Sequence, residues 1–481
     1  MSKQIIWCRI LPLLFIFHLS LFTAFAAGKY DNPDTIVVAR DGTGEFRTVD
    51  EAIEVCRAFM DYHKVIFVKN GTYKGHVDIP KTKPYMHIIG QNRDKAVITN
   101  DALSGGANAV HVSIGATVTV NSDNCFFENI TLENSYGHEK QAGPQALALN
   151  TGGDRIALNK VALLSYQDTW ITTSTQKNRH YIKNSLIEGA VDFIYNGGDV
   201  YLDGDTLEIN RPSGGYIVAP WHTADTKWGY VFQNNVIRQH PGVNVTDVWL
   251  GRPWHGEPKT VFINTKTYVN IPAKGWYNTM GGLPVLWADY NTVDADGNPV
   301  DLSQRESYYY YTDDDTGKKM ETFGVKNRLT DEEAAQYTIK NVMGGTDNWQ
   351  PDLLCEPVAA PQVTQNGNTL SWEAVPYAIC YVVSKGNDVV SIQTETEFQL
   401  PAAARAPQNA ATAEVFRVQA VNEQGGLSPM GTVQQATAIS VVETAASHAQ
   451  ETGAAFNLSG QRVSSSYKGV VVIGGKKILR R

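Results

Sequence analysis

Cysteine is scarce in this chain: there are five in 481 residues, and none forms a CxxC pair. Cys8 lies in the apolar N-terminal segment, and the other four (Cys56, Cys125, Cys355, Cys380) are widely spaced. Neither a disulfide framework nor a zinc site follows from that spacing. Charge is also sparse, at 19% of residues, and the balance is acidic, with 49 Asp and Glu against 41 Lys and Arg. Bulk attraction does not bring such a protein to acidic polymers. Nucleic acid is therefore not an expected partner, and any polyanion must be met by locally placed basic and aromatic groups. Long helical patterning is missing too. With 41 glycines and no dominant helix-period run, the composition leans towards β structure.

The first residues stand apart. Lys3 and Arg9 precede the apolar run "ILPLLFIFHLSLF", and "TAFAAG" supplies a small-residue cleavage pattern at Ala24-Phe25-Ala26. This is the layout of a signal peptide over residues 1–26, and no membrane span is expected in the mature form. Removing Lys3 and Arg9 with it takes the formal charge from -8 to -10.

From Thr35 to about Thr267 the chain is a series of short β-branched and aromatic runs broken by Gly, Asn and Asp, such as "TIVVAR", "KVIFVKNGTY", "TVTVNS" and "YVFQNNVIRQ". Such runs suit either a sandwich or a solenoid, and internal repeats distinguish the two. "VALLSYQD" (Val161 to Asp168) aligns without a gap on "SLIEGAVD" (Ser185 to Asp192), which sets Leu163 over Ile187 and Asp168 over Asp192. Gln145 precedes Gln167 by a similar interval. A period of about 22 to 24 residues is one coil of a right-handed parallel β-helix. Rungs lie about 4.8 Å apart, so in-phase residues share one face. "TVDEAIEVCRAFM" has helical spacing and is expected to cap the open end. "LTDEEAAQYTI" carries a capping box, with Thr330 as N-cap and Glu333 three residues on.

After Pro351 the pattern changes. The expected organisation is a β-helix domain over 30–352, a module over 358–438, an Ala/Thr/Ser-rich linker over 439–455 and a basic hairpin-like segment over 456–481. The module shows alternating strands around Trp372 and resembles a fibronectin type III β-sandwich, with Phe416 where that family usually has tyrosine. The fold class expected for the whole is all-β. The last segment, through "LSGQRV" and "KGVVVIGGKK", resembles the C-terminal segments of proteins secreted by Bacteroidetes. On that basis a secreted, periplasmic or cell-surface bacterial protein is expected.

The chemistry converges on five residues. Two carboxylates held close together cannot both ionise cheaply, so one pKa rises and the pair titrates as a unit. That condition suits one carboxylate, Asp168 or Asp192, to act as nucleophile and the other as general acid and then base. Gln145 and Gln167 offer uncharged donors to a developing oxyanion. Arg252, in "VWLGRPWHGEP", beside one aspartate would keep it ionised and orient it. Each aspartate alone is an ordinary β-helix turn residue; it is the combination that points to catalysis. Trp170, Trp221 and Trp254 supply flat faces for sugar rings or else serve as core residues.

Several motifs in order resemble the pectin methylesterases, carbohydrate esterases of the parallel β-helix fold. They are "VVARDGTGEFRTVDEAI", "NGTY", "GPQALAL", "YQDTW", "NRHYIKNSLIEGAVDFIY", "LGRPW", "KGW" and "LTDEEAAQYTIKNVMGG", and they run from about Ile36 to Trp349. The resemblance implies that Asp192 is the nucleophile on the C6 methyl ester of galacturonate and Asp168 the acid and base. It implies that Gln145 and Gln167 hold the oxyanion, that Arg252 bonds Asp192 and that Trp254 packs on the sugar. Pectin (homogalacturonan) is the implied substrate, with no metal or cofactor, and a monomer is expected. Three positions depart from the family pattern. Gly75 replaces a glutamate, Tyr195 and Asn196 replace the Phe-Gly of "DFIFG", and Trp170 replaces a leucine. Trp170, Trp221 and Tyr195 are accordingly expected beside Trp254 as sugar contacts. Competing readings are a polygalacturonase or pectate lyase, which leave the two glutamines unexplained, and an inactive carbohydrate-binding relative.

Overall fold

The computed structural model describes residues 28–435, apart from 33, 356–357, 376–377, 387, 402–415 and 423–426, together with four short strands between 455 and 480. The expected signal peptide and almost all of the expected linker lie outside the described residues. Of the final segment, only backbone strands such as Gly469–Ile473 and Lys476–Arg480 are described, and these pair antiparallel.

The main body is a parallel β-helix built from three sheets. One has eleven strands, from Ile36–Val38 to Lys326–Arg328. A second runs from Val77–Ile79 to Val248–Gly251, and a third from Gly71–Lys74 to Lys266–Thr267. Successive coils add one strand to each sheet, so the interior is a single apolar column that includes Ile66, Leu158, Ile182, Leu202 and Phe232. Crossovers between parallel strands of one sheet are right-handed almost without exception.

The turn after seven of the eleven strands of the first sheet is made the same way. Asn129, Lys160, Asn184, Gly204, Asn234, Asn264 and Asn291 directly follow their strands and all have positive φ, between 50° and 70°. Asn and Gly tolerate this left-handed backbone best, which explains the recurring Asn at these places. Their side chains also stack. Asn264 donates to Asn234 Oδ1 at 3.2 Å, and Asn291 donates to Asn264 Oδ1 at 2.8 Å.

The repeat alignment is reproduced in the register. Leu163 pairs with Ile187, and Trp170 with Ile194. Coil length then varies, being shorter from Ile187 to Leu207 and longer from Leu207 to Ile237. The early helix covers only Val49–Glu54, with a Thr48/Glu51 capping box. It ends at Glu54 with Val55 as C-cap, short of the expected Met60, and the chain turns back further on at Phe59, whose φ is 54°. Cys56 and Met60 are nevertheless buried at the end of the column. The Thr330/Glu333 capping box forms as expected and opens the helix Asp331–Ala334.

Seven strands between Val363 and Gln435 pair into a separate sheet system around Trp372, which meets Tyr381 edge-on at 5.3 Å. This unit packs on the outer face of the first sheet, where Val65, Phe67 and Ile89 meet Val389, Ile392 and Leu427. At the seam Glu128 accepts from Leu427 N at 3.1 Å and from Asn159 Nδ2 at 2.7 Å, and burial pushes its carboxyl up to about 7. Among the described residues no helix is long and apolar enough to cross a membrane, and Cys56, Cys125, Cys355 and Cys380 are free and buried.

Candidate active site

Five consecutive rungs of the second sheet build the site: Leu149–Thr151, Trp170–Ile171, Val191–Asn196, Gly215–His222 and Val248–Gly251. Gln145 enters just before the first rung, and Gln167 and Asp168 just before the second. Asp192 and Tyr195 lie on the third, and Arg252 follows the fifth. Gln145, Gln167, Asp168, Asp192, Tyr195 and Arg252 all line one cleft of about 230 Å³, which Trp254 and Met280 help to close. The larger cleft of about 720 Å³ beside Tyr201 and Tyr337 is also lined by two carboxylates, Asp203 and Asp331, and by Gln233, but no arginine lines it.

Both aspartates have left-handed backbone, Asp168 with φ 62° and Asp192 with φ 51°. Asp reaches this region more readily than most residues, and such positions concentrate at functional sites. The conformation interrupts the pleat. The register shifts between Val191 and Ile194, and Gln167 makes only an isolated bridge to Val191. The two carboxylates are thereby turned out of the sheet into the cleft, on adjacent rungs. Asp168 N still donates to Val191 O at 3.0 Å, which ties the two turns together.

Arg252 binds Asp192 through two parallel bonds, Nε to Oδ1 at 2.8 Å and Nη2 to Oδ2 at 2.5 Å. Its guanidinium lies over the Tyr216 ring at 4.1 Å, with Tyr277 tilted against Tyr216 and Trp249 edge-on to Tyr277. The sequence reading missed this aromatic bracket. The alternation in "GGYIVAP" was the available signal, but it does not reveal which face meets Arg252.

Electrostatics separate the two acids. Burial raises Asp168 well above the usual carboxylate range, and the neighbouring Asp192 raises it further; Arg252 and the Tyr195 hydroxyl, which hydrogen-bonds it, act in the opposite direction. Burial also raises Asp192, but there the guanidinium opposes it directly through both bonds. Asp168 is thus the group that holds a proton, and Asp192 the group held ready as an anion. Tyr195→Phe removes a bond that favours ionised Asp168. The expected result is that the alkaline limb of the pH–rate profile moves to higher pH, measured as kcat/KM against pH.

Glycine gives the two glutamines their room. A Cβ on Gly105 would lie 1.7 Å from Gln145 Oε1, and one on Gly143 would lie 2.6 Å from Gln167 Oε1. Gly105→Ala is expected to displace the Gln145 amide and lower kcat by about 10- to 100-fold. Thermal unfolding should change little, and steady-state kinetics beside a melting curve checks both.

The aromatic residues divide. Trp254 sits edge-on to Tyr195 at 5.7 Å and to Trp221 at 6.0 Å, forming a wall on one side of the cleft, and Trp221 is 39% exposed. Trp170 does not belong to this wall, which corrects its expected role as a sugar contact. It is fully buried in the β-helix interior, and its Nε1 donates to Thr151 Oγ1 at 2.9 Å. Asn196 is buried as well, and its Nδ2 donates to Thr172 O at 3.0 Å.

Comparison with known proteins places this geometry. The family model described as Pectinesterase matches residues 35–343. A putative pectinesterase/pectinesterase inhibitor of Arabidopsis thaliana is 30% identical over 330 residues, covering 66% of this chain and 31% of that protein. A pectinesterase of Petunia integrifolia is 27% identical, covering 65% of this chain and 80% of its own length. The solved pectin methylesterase from carrot superposes with a TM-score of 0.53 at 25% identity, covering 65% of this chain and 93% of that one. The chain spans about a third to a half of the length of the first plant relatives it matches. These curated relatives come from plants, which overturns the expected bacterial setting: no bacterial origin is indicated. With a match that spans the whole β-helix and its cleft, the chain belongs to the pectinesterase family.

Proposed function

We propose that this chain removes methyl groups from the C6 esters of homogalacturonan, the backbone of pectin, and releases methanol. The observation that carries the reading is the asymmetric pair: Asp192 clamped by Arg252, and Asp168 raised beside it, in one cleft with two amide side chains. An Asp192 carboxylate oxygen attacks the C6 carbonyl. The oxyanion that forms accepts hydrogen bonds from the Gln145 and Gln167 amides. As the C–O bond breaks, Asp168 gives its proton to the departing methoxide, leaving methanol and a mixed anhydride on Asp192. Asp168, now ionised, takes a proton from water, and the hydroxide attacks the same C6 carbon. Breakdown frees the galacturonate carboxyl, returns Asp192 as a carboxylate and leaves Asp168 protonated. The choice of Asp192 as nucleophile rests on the family resemblance and on its bidentate contact with Arg252. Trp254, Trp221 and Tyr195 would face the sugar rings from one side.

The C-terminal seven-strand unit is best read as a fibronectin type III-like module. Support comes from the pairing of its strands around Trp372 and from the Tyr381 hydroxyl that accepts from Val375 N at 2.9 Å.

The test is trapping with hydroxylamine on a methyl-esterified oligogalacturonide. A covalent acyl-enzyme gives C6 hydroxamate alongside methanol. Methanol with free carboxylate as the only other product would contradict the covalent route, and no methanol would contradict the function.

A further inference from the structure

Behind the catalytic rungs, on the outer face of the third sheet, a second cluster of ionisable groups plays no part in ester cleavage. Three successive strands form it: Leu186–Gly189, Thr206–Ile209 and Val236–Gln239. Their register sets Glu188 beside Glu208 and Glu208 beside Arg238, and His240 follows the third strand one residue on. Glu188 is 1% exposed and Glu208 3%, while His240 reaches the surface.

The two carboxylates are held in the same way. One oxygen of each is occupied from outside. Glu188 Oε1 accepts from Asn210 Nδ2 at 2.9 Å and lies 2.8 Å from His138 Nδ1. Glu208 Oε2 accepts from Arg238 Nε at 2.8 Å and from its Nη2 at 2.7 Å. The other oxygens, Glu188 Oε2 and Glu208 Oε1, converge on His240 Nδ1 at 3.0 and 2.9 Å. These three atoms lie within 4.8 Å of one another. Asn210 adds an independent sign. It is 2% exposed and its amide reaches into the cluster, yet its Oδ1 is buried without a partner.

Charge points the same way. Glu188 and Glu208 bring two negative charges into a buried place, and Glu133 stands 3.8 Å from His138. Arg238 offsets one of these charges. Buried carboxylates need compensating positive charge, from protonated imidazoles or from a cation. We propose that Glu188 Oε2, Glu208 Oε1 and His240 Nδ1 form a divalent-cation site suited to zinc, with water as the fourth ligand. Two carboxylate oxygens and one imidazole nitrogen are a borderline N/O set, and zinc takes such ligands at about 2.0–2.2 Å. Ligand atoms around a tetrahedral ion of that size stand about 3.3 Å apart, so His240 Nδ1 need move only a few tenths of an ångström from each oxygen. His138, Asn210 and Arg238 then act as the outer partners that orient metal-bound carboxylates. Binding displaces any proton on His240 Nδ1.

The site also has a structural consequence. Glu188 lies four residues before Asp192, and its backbone oxygen accepts from Thr169 Oγ1 at 2.7 Å, beside Asp168. A bound ion would fasten the strand that leads into the Asp192 turn to the two strands after it, and the Thr169 bond ties that strand to the Asp168 turn.

The experiment is isothermal titration of the EDTA-treated full chain with zinc chloride, with calcium chloride as the contrast, alongside melting curves. One zinc per chain is expected, together with a rise in Tm of a few degrees at saturating zinc. Calcium, which needs six or more oxygens, should give no heat. His240→Ala, at the accessible rim, should abolish the binding, and His138→Ala should weaken it about 10- to 100-fold. Absence of zinc binding, calcium binding in its place, or zinc binding unchanged in His240→Ala would each overturn the proposal. The first of these results would leave protonated imidazoles as the compensating charge.

Discussion

Replacing Asp192 with alanine is expected to lower kcat for methanol release by a factor on the order of 10⁴ or more, with far-UV circular dichroism unchanged. The size follows from the part Asp192 plays. In the proposed mechanism it supplies the attacking oxygen and the covalent link, and its carboxylate accepts both bonds from Arg252. Without it, the guanidinium loses both of these bonds and keeps only its contact with the Tyr216 ring. Asp192→Asn provides a second reading, because it keeps the shape of the side chain and removes only the anion. If both variants fold as the parent does and turn over at the parental rate, Asp192 is not the nucleophile.

Asp168→Asn is expected to cost about 10²- to 10⁴-fold on methyl esters, the range for a lost general acid and base. This loss has its own signature. Methoxide is a poor leaving group and needs the Asp168 proton, whereas an ester with an acidic alcohol leaves without one. Formation of the acyl-enzyme from such an ester should therefore recover most of its rate in Asp168→Asn and none in Asp192→Ala. The pH profile separates them further. In the proposed mechanism Asp168 works as an acid, and burial with the Asp192 charge raises its pKa, so activity is held until pH rises through that raised value and is lost above it. Asp192 must be ionised, so activity falls on the acid side as it takes up a proton. The parent should give a bell whose limbs belong to the coupled pair. In Asp168→Asn the alkaline limb should disappear.

Much of this site is legible in the sequence because a β-helix converts sequence interval into spatial neighbourhood. Aligning Leu163 on Ile187 is enough to bring Asp168 and Asp192 to adjacent rungs. The limits of that reading are equally physical. Period-two alternation sorts side chains inward and outward only while the backbone stays extended, and Asp168 at φ 62° breaks it. Trp170 comes two residues after that break and points into the core, where its indole finds Thr151. No spacing rule applied across the break would have placed it there. The early helix also stops short, at Glu54, although its helical spacing runs on to Met60. Contacts between distant coils were not legible from spacing. Residue chemistry set Arg252 beside one of the two aspartates, and only the family resemblance said that it was Asp192. The cluster of Glu188, Glu208 and His240 depends on coils of unequal length, which a fixed period misaligns.

The most direct test is one assay on highly methylated pectin that counts methanol and new chain ends together. Methanol released in step with new carboxylates, with chain length and double-bond absorbance unchanged, is the expected result. Chain shortening or an unsaturated product without methanol would contradict the assignment of the paired aspartates to ester cleavage.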